Sequence, residues 1–147
     1  MLTTFAEDLL VDPHTVEKYD AYYRSGSDKQ YPNLDLVRLE QWFFEEPAGK
    51  LLEYAFGCGV NMVHMLRRGY TVEAIDASPE AKRLVERKLS ELPDLAGRVQ
   101  LTLLERDATR LPYADATFDF VTCLSVLSLL GSRARASHLL SEFARVM

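Results

Sequence analysis

Glu53 closes a short apolar run, Leu51-Leu52, and two residues later comes Ala55-Phe56-Gly57-Cys58-Gly59, where small residues alternate with larger ones. A carboxylate at a strand tip, then a turn of small residues, then a helix starting at Val60 would let backbone N–H groups approach a ligand closely. On these residues alone, an ordinary tight strand-to-helix turn is an equal reading. Two further carboxylates, Asp76 and Asp107, stand where later strands should end. Singly, Asp76 could merely end a strand, and Asp107 could merely cap a turn through its side chain. His14, His64 and His138 have no metal-ligand spacing with Cys58 and Cys123, so no metal is expected. Cys58 between two glycines reads as a small filler rather than a nucleophile.

The elements that must position these groups follow from periodicity. His14 to Arg24 places Val16, Tyr19 and Tyr23 at helical spacing, and Ser25-Gly26-Ser27 ends that helix. After Tyr31-Pro32-Asn33, Leu36, Leu39 and Phe43 predict a second helical stripe that stops before Pro47. Tyr19, Tyr22 and Tyr23 read either as a lid over a site or as half-buried packing on the surface. Lys50 to Tyr54 is the first strand, Val60 to Arg68 a short helix with Gly69 as its C-cap, and Tyr70 to Ile75 the second strand, ending at Asp76. Ser78-Pro79-Glu80 opens a helix as N-cap, first-position proline and first-turn acid. Its predicted apolar face is Ala81, Leu84, Val85, Leu89 and Leu92. Lys82, Arg83, Glu86, Arg87 and Lys88 form the expected solvated face.

Pro93 to Gly97 is expected to be a loop, Arg98 to Leu104 a third strand, and Glu105 to Thr117 a polar loop. Phe118 to Leu124 is the fourth strand. The last helix carries Ala136, Leu139, Leu140, Phe143 and Val146 on one face. Strands alternating with helices imply an α/β fold, a parallel sheet with helices on both faces.

Bulk properties exclude several classes. The chain has 147 residues, 48% hydrophobic and 27% charged, which fits one globular domain. Its net charge of −5 argues against general affinity for nucleic acid. The two cysteines fit a reduced intracellular chain. Thr3, Thr4, Glu7 and Asp8 at the start do not make a secretory signal. The most apolar run, Phe118 to Leu130, is shorter than the ~20 residues of a membrane helix. A cytoplasmic protein without membrane partners is expected.

Taken in order, the Glu53 strand and its glycine turn, Asp76, Asp107-Ala108 with Leu111-Pro112-Tyr113, Phe118-Asp119-Phe120-Val121 and the closing Glu142-Phe143-Ala144-Arg145-Val146 form one pattern. From about Tyr31 to the C-terminus it resembles class I S-adenosylmethionine-dependent methyltransferases, of the type 11/25 kind. The resemblance implies a Rossmann-like parallel sheet of order 3-2-1-4, with residues 1–47 as a helical lid and residues 48–147 as the cofactor-binding core. It implies S-adenosylmethionine as cofactor and a small-molecule methyl acceptor. Ala55, Gly57 and Gly59 would let the backbone approach the methionyl part, and Glu53 would face its amino group. Asp76 would accept from both ribose hydroxyls, with Ala77 and Ser78 beside the adenine. Asp107 would accept from the adenine amino group and the Ala108 N–H would meet a ring nitrogen. Leu124 and Ser125 would border the transferred methyl. Because that methyl is already activated, catalysis can rest on positioning, with His14, Tyr19 or Tyr23 as candidate bases.

This chain departs from the family pattern in three places. Ala55 replaces the first glycine of the turn, tolerable if its backbone needs no positive φ. Cys123-Leu124-Ser125-Val126 stands where enzymes that methylate base amino groups carry Asn/Asp-Pro-Pro-aromatic. The family's C-terminal strands do not follow Met147, so a fragment, a split protein, or a homodimer completed through the strand-four edge is expected. Two other functions compete: a non-catalytic cofactor-binding or interaction module, and a nicotinamide oxidoreductase. The latter is disfavoured because Met62 occupies the place of the third fingerprint glycine.

Overall fold

The computed structural model describes residues 12–44 and 49–147. Pro47, and the start of the chain on which the signal reading rests, lie outside the described residues. Strand β1 (Lys50–Tyr54) runs through the middle of a four-stranded parallel sheet of order β3-β2-β1-β4, as expected. Beside it lie β2 (Thr71–Asp76) and β4 (Phe120–Cys123), and β3 (Val99–Leu103) pairs on the far side of β2. Helix α3 (Val60–Arg67) joins β1 to β2, and α4 (Pro79–Ser90) with the one-turn α5 (Pro93–Ala96) joins β2 to β3. The chain then crosses to the other side of β1 to form β4. This reversal opens a crevice at the carboxyl ends of β1 and β4, the switch point where ligands bind in open α/β sheets.

Period-two alternation divides the core between the two faces of the sheet. Leu51, Val72 and Ala74 pack with Met62, Leu66, Val85 and Leu89 of α3 and α4. Leu52, Tyr54 and Ile75 pack with Leu139, Phe143 and Val146 of the last helix, α6 (Arg133–Val146). Helix starts are set by side-chain caps: Asn33 Oδ1 accepts from the N–H of Asp35 (2.9 Å) and Leu36 (3.2 Å), and Ser78 Oγ from that of Ala81 (3.0 Å). The edge strand β4 is anchored at its start, where Asp119 Oδ2 accepts from the Lys50 N–H at 2.8 Å.

Several expectations are corrected. Pro93 to Ala96 is a helical turn, not a loop, because proline at its first position presets the helical φ. The fourth strand spans only Phe120–Cys123. In α2 (Leu34–Phe43) the buried positions are Leu36 and Glu40, while Leu39 and Phe43 of the predicted stripe are exposed. Glu40 takes a core position because Arg68 Nε (3.2 Å) and Tyr70 Oη (3.4 Å) both donate to its Oε1. In α6, Leu140 is exposed and Glu142 is buried instead. Glu142 Oε2 accepts from the Leu111 N–H at 2.7 Å, and its two oxygens receive Nε and Nη2 of Arg145, each at 2.7 Å.

Candidate functional site

The turn after β1 is built from left-handed backbone. Ala55, Gly57 and Gly59 have φ of 63°, 54° and 77°. The condition under which alanine would be easy at the first position is therefore not met: Ala55 sits in a conformation that costs an L-residue about 1–2 kcal/mol. Such strain survives where surrounding structure fixes it, and here the Ala55 N–H donates to the Ile75 carbonyl at 2.7 Å. At Gly57 the reason for glycine is contact as well as φ. A Cβ there would lie 2.8 Å from Tyr23 Oη.

Asp76 ends β2 beside this turn and ties the two together. Its Oδ2 accepts from the Gly57 N–H (2.8 Å) and its Oδ1 from the Ser78 N–H (2.9 Å). Burial pushes its carboxyl above the ordinary carboxylate range, against the lowering effect of these backbone bonds. Each oxygen keeps a lone pair beyond its backbone partner, so the group can still accept from a ligand's hydroxyls.

Glu53 is 3% exposed, and its Oε2 has no hydrogen-bond partner. Burial first, and the charge of Asp76 second, push its carboxyl up to about 8. A buried carboxyl with one oxygen unpartnered, beside a glycine turn, is one that a cationic donor group would satisfy.

Helix α1 (Pro13–Arg24) forms the opposing wall and buries none of its residues. One side bonds to α4: Asp20 Oδ1 accepts from Ser78 Oγ and from the Glu80 N–H (3.2 Å), and Arg24 approaches Glu80 at 3.5 Å. Another side carries Tyr19, Tyr22 and Tyr23 into a cavity of about 980 Å³ between α1 and the strand ends. Tyr23 is held proton-on by burial and by the nearby Asp76, its hydroxyl pushed well above the ordinary tyrosine value. Lys88 departs from the predicted solvated face. Its Nζ donates to the Cys58 carbonyl and to Asp28 Oδ1, each at 2.7 Å, linking the glycine turn to the loop after α1.

Of the residues singled out in the sequence, Ala55, Gly57, Asp76, Ala77, Ser78 and Leu124 line this one cavity. Glu53 lies buried behind the turn, and Gly59 packs against Val85 and Met62 rather than lining the cavity. Asp107 is exposed, and neither it nor Ala108 lines the cavity. His14 is exposed and also outside it. Sequence reasoning did not single out Asp20, Asn61 or the Tyr54 side chain. Asp20 carried a signal only in its spacing, four residues before Arg24 in α1. Ser125, at φ 61°, adds a second strained residue where β4 opens into the cavity.

Among the described residues no group of histidines, cysteines or acids is arranged to hold a metal ion. No helix among them is long and apolar enough to cross a membrane.

Comparison with known proteins places this geometry. A family model described as a methyltransferase domain matches residues 52–147. The mitochondrial ubiquinone biosynthesis O-methyltransferase of Schizosaccharomyces pombe is 37% identical over 78 residues, which are 53% of this chain and 27% of that protein. Among solved structures, an Aquifex aeolicus SAM-dependent methyltransferase aligns with TM-score 0.61 and 20% identity, over 93% of this chain and 68% of that one. The 4+2 cyclase SpnF aligns with TM-score 0.73 and 15% identity, over 90% and 55% of the respective chains. At these identities the two structures share the fold. The chain spans about a quarter of the length of its curated relative.

Proposed function

This chain belongs to the methyltransferase-domain family, and we propose that it binds S-adenosylmethionine in the cavity at the β1/β4 switch point and directs methyl transfer to a small molecule. One observation carries this reading. Asp76, at the end of β2, and Glu53, whose buried Oε2 has no hydrogen-bond partner, flank a turn whose Gly57 N–H is already fixed by Asp76. Asp76 would hold the ribose hydroxyls, Glu53 the amino group of the methionyl part, and Ala77 and Ser78 one side of the adenine. Asp107 and Ala108 would reach the adenine only if the loop after β3 folds inward, because neither lines the cavity.

The cofactor supplies an activated sulfonium methyl. The chain's own work is to orient and to exclude water. Helix α1 is the lid in this proposal, the described part of an expected division into a lid of residues 1–47 and a core of residues 48–147. Tyr23 retains its proton, so it acts as a donor rather than as the general base; Tyr19 remains the candidate from the lid.

Isothermal titration with S-adenosylmethionine tests the reading. Asp76→Ala is expected to weaken binding at least a hundredfold, from loss of two hydrogen bonds to a charged group of about 1.5–3 kcal/mol each. Asp76→Asn keeps the side chain's shape and one accepting oxygen, so it retains one of the Gly57 and Ser78 N–H bonds while placing a donor against the other. Its affinity is expected to fall between those of wild type and Asp76→Ala. A folded wild type that does not bind overturns the reading.

The SpnF likeness supports a second reading, since that neighbour is a cyclase on the same fold. Methyl turnover with any acceptor separates the two. The proposal also includes pairing of a second copy along β4, which has one strand neighbour and half-buried Phe120, Val121 and Cys123. A monomeric mass in solution would refute that part. Absence of nucleic-acid partners is supported by the net charge of −5. The cytoplasmic placement rests on the reduced cysteines, whereas the Schizosaccharomyces pombe relative is mitochondrial.

A further inference from the structure

We infer that the acceptor is a planar aromatic or conjugated molecule bearing a negative charge, laid against the tyrosines of α1 with its charge toward Lys18 and Lys29. The inference rests on the methyltransferase reading of the same cavity and adds the chemistry of the second ligand.

The cavity, at about 980 Å³, stands at the top of the ~300–1,000 Å³ range of single-ligand sites. It has room beyond a nucleoside-sized group at Asp76. Its outer wall is aromatic. Tyr19, Tyr22, Tyr23 and Tyr31 all line it, with the Tyr19 and Tyr23 rings stacked at 6.2 Å and Tyr22 edge-on to Tyr23 at 5.6 Å. Tyr23 packs partly against the core, and the other three rings are not spent on it: Tyr19 is 40% exposed, Tyr22 47% and Tyr31 81%. Large rings gathered at a cavity mouth offer flat faces and phenol donors, which suit a flat partner better than a flexible aliphatic one.

The charge of this wall opposes that of the whole protein. Lys18 and Lys29 line the cavity, and neither has an acidic partner among the described residues. The other lysine of this region, Lys88, is taken by Asp28. Asp76 is the single acid among the lining residues, and both its oxygens are engaged by backbone N–H groups. A chain of net charge −5 thus presents at one aromatic mouth two cations without an ion-pair partner among the described residues, which attracts anions and disfavours cations.

The test uses protein saturated with S-adenosylhomocysteine, whose own carboxylate occupies any cation the cofactor needs. Naphthalene-2-carboxylate, its neutral amide and cyclohexanecarboxylate are titrated calorimetrically. The carboxylate is expected to bind roughly tenfold tighter than the amide, the scale of two partly exposed ion pairs. Cyclohexanecarboxylate, charged but not flat, should bind more weakly than the naphthoate. Lys18→Met/Lys29→Met should erase the preference for carboxylate over amide, and Tyr19→Leu/Tyr22→Leu should weaken both aromatic probes. Equal binding of amide and carboxylate, or a preference that survives the lysine double variant, overturns the inference. Failure of S-adenosylhomocysteine itself to bind overturns the underlying reading instead. Should a variant fail to fold, the three-probe comparison on wild type still decides.

Discussion

Gly59→Ala is the sharpest structural test of the turn that the site is built on. Gly59 has φ 77° and serves as N-cap of α3. A Cβ there would stand 2.8 Å from Val85 Cγ2, 3.3 Å from Met62 Cε and 3.4 Å from Val85 Cγ1. Both neighbours are fully buried, so neither can swing into solvent. Left-handed backbone costs alanine about 1–2 kcal/mol, and forcing a methyl into a packed core about 1–3 kcal/mol more. The stiffer unfolded chain offsets about 0.4–1 kcal/mol of this. The net loss should be about 3 kcal/mol, a fall in Tm on the order of 8 °C for a chain of this size. Urea unfolding followed by far-ultraviolet circular dichroism measures it, with Ala55→Gly as comparison. Ala55 shares the positive φ but already carries its methyl, so removing it should leave stability within about 1 kcal/mol of wild type. The packing part of the Gly59→Ala loss should be coupled to Val85→Ala, the double variant losing less than the two singles combined. A loss below about 1 kcal/mol for Gly59→Ala, or an equal loss for Ala55→Gly, would refute this account of the turn.

Three further outcomes are expected. Folded Glu53 holds its proton up to about pH 8 against 4.5 when unfolded, so the folded state binds more protons across that window and stability falls as pH rises through it. Glu53→Gln should gain stability over wild type progressively across the same window. Wild type should also release a proton on taking up S-adenosylmethionine at neutral pH, read from calorimetry in buffers of different ionisation enthalpy, and a buffer-independent heat would count against the role given to Glu53. Hydrogen bonds from Arg145 hold Glu142 below its ordinary 4.5, so its contribution is complete above that pH and lost as pH falls below it. Glu142→Ala should cost about 3 kcal/mol near pH 7, and Glu142→Gln should flatten the acid limb of a stability–pH curve. Lys88→Met should weaken S-adenosylmethionine several-fold by freeing the Cys58 carbonyl, with Lys88→Arg restoring part of the affinity; unchanged affinity would reduce Lys88 to a surface contact.

Much of the fold was legible in the sequence because local chemistry and periodicity agree there. Lys50–Tyr54 is a strand at the expected bounds, and Ser78-Pro79-Glu80 opens α4 with the expected cap. The carboxylate-ended strands and the small-residue turn were visible as spacing alone. What failed were positions where a tertiary partner overrides a side chain's own preference. Glu40 and Glu142 occupy core positions because Arg68 and Tyr70 come to the first, and the Leu111 N–H to the second, from distant sequence, with Arg145 one turn along the same helix completing the Glu142 pair. Lys88 left the solvated face for the same reason. The sequence by itself determined the order of strands and helices and the residue types at the strand ends, since both depend on local pattern. Only the tertiary structure decided that Ala55 is strained, that Glu53 is buried with its Oε2 unpartnered, and that Asp107 lies outside the cavity. It also decided that Tyr19 and Tyr22 of α1 stay exposed at the cavity, whereas Tyr23 both lines it and packs against the core. Each of these depends on which distant groups the sheet crossing at β1 and β4 brings within a few ångströms, and no local pattern encodes that distance.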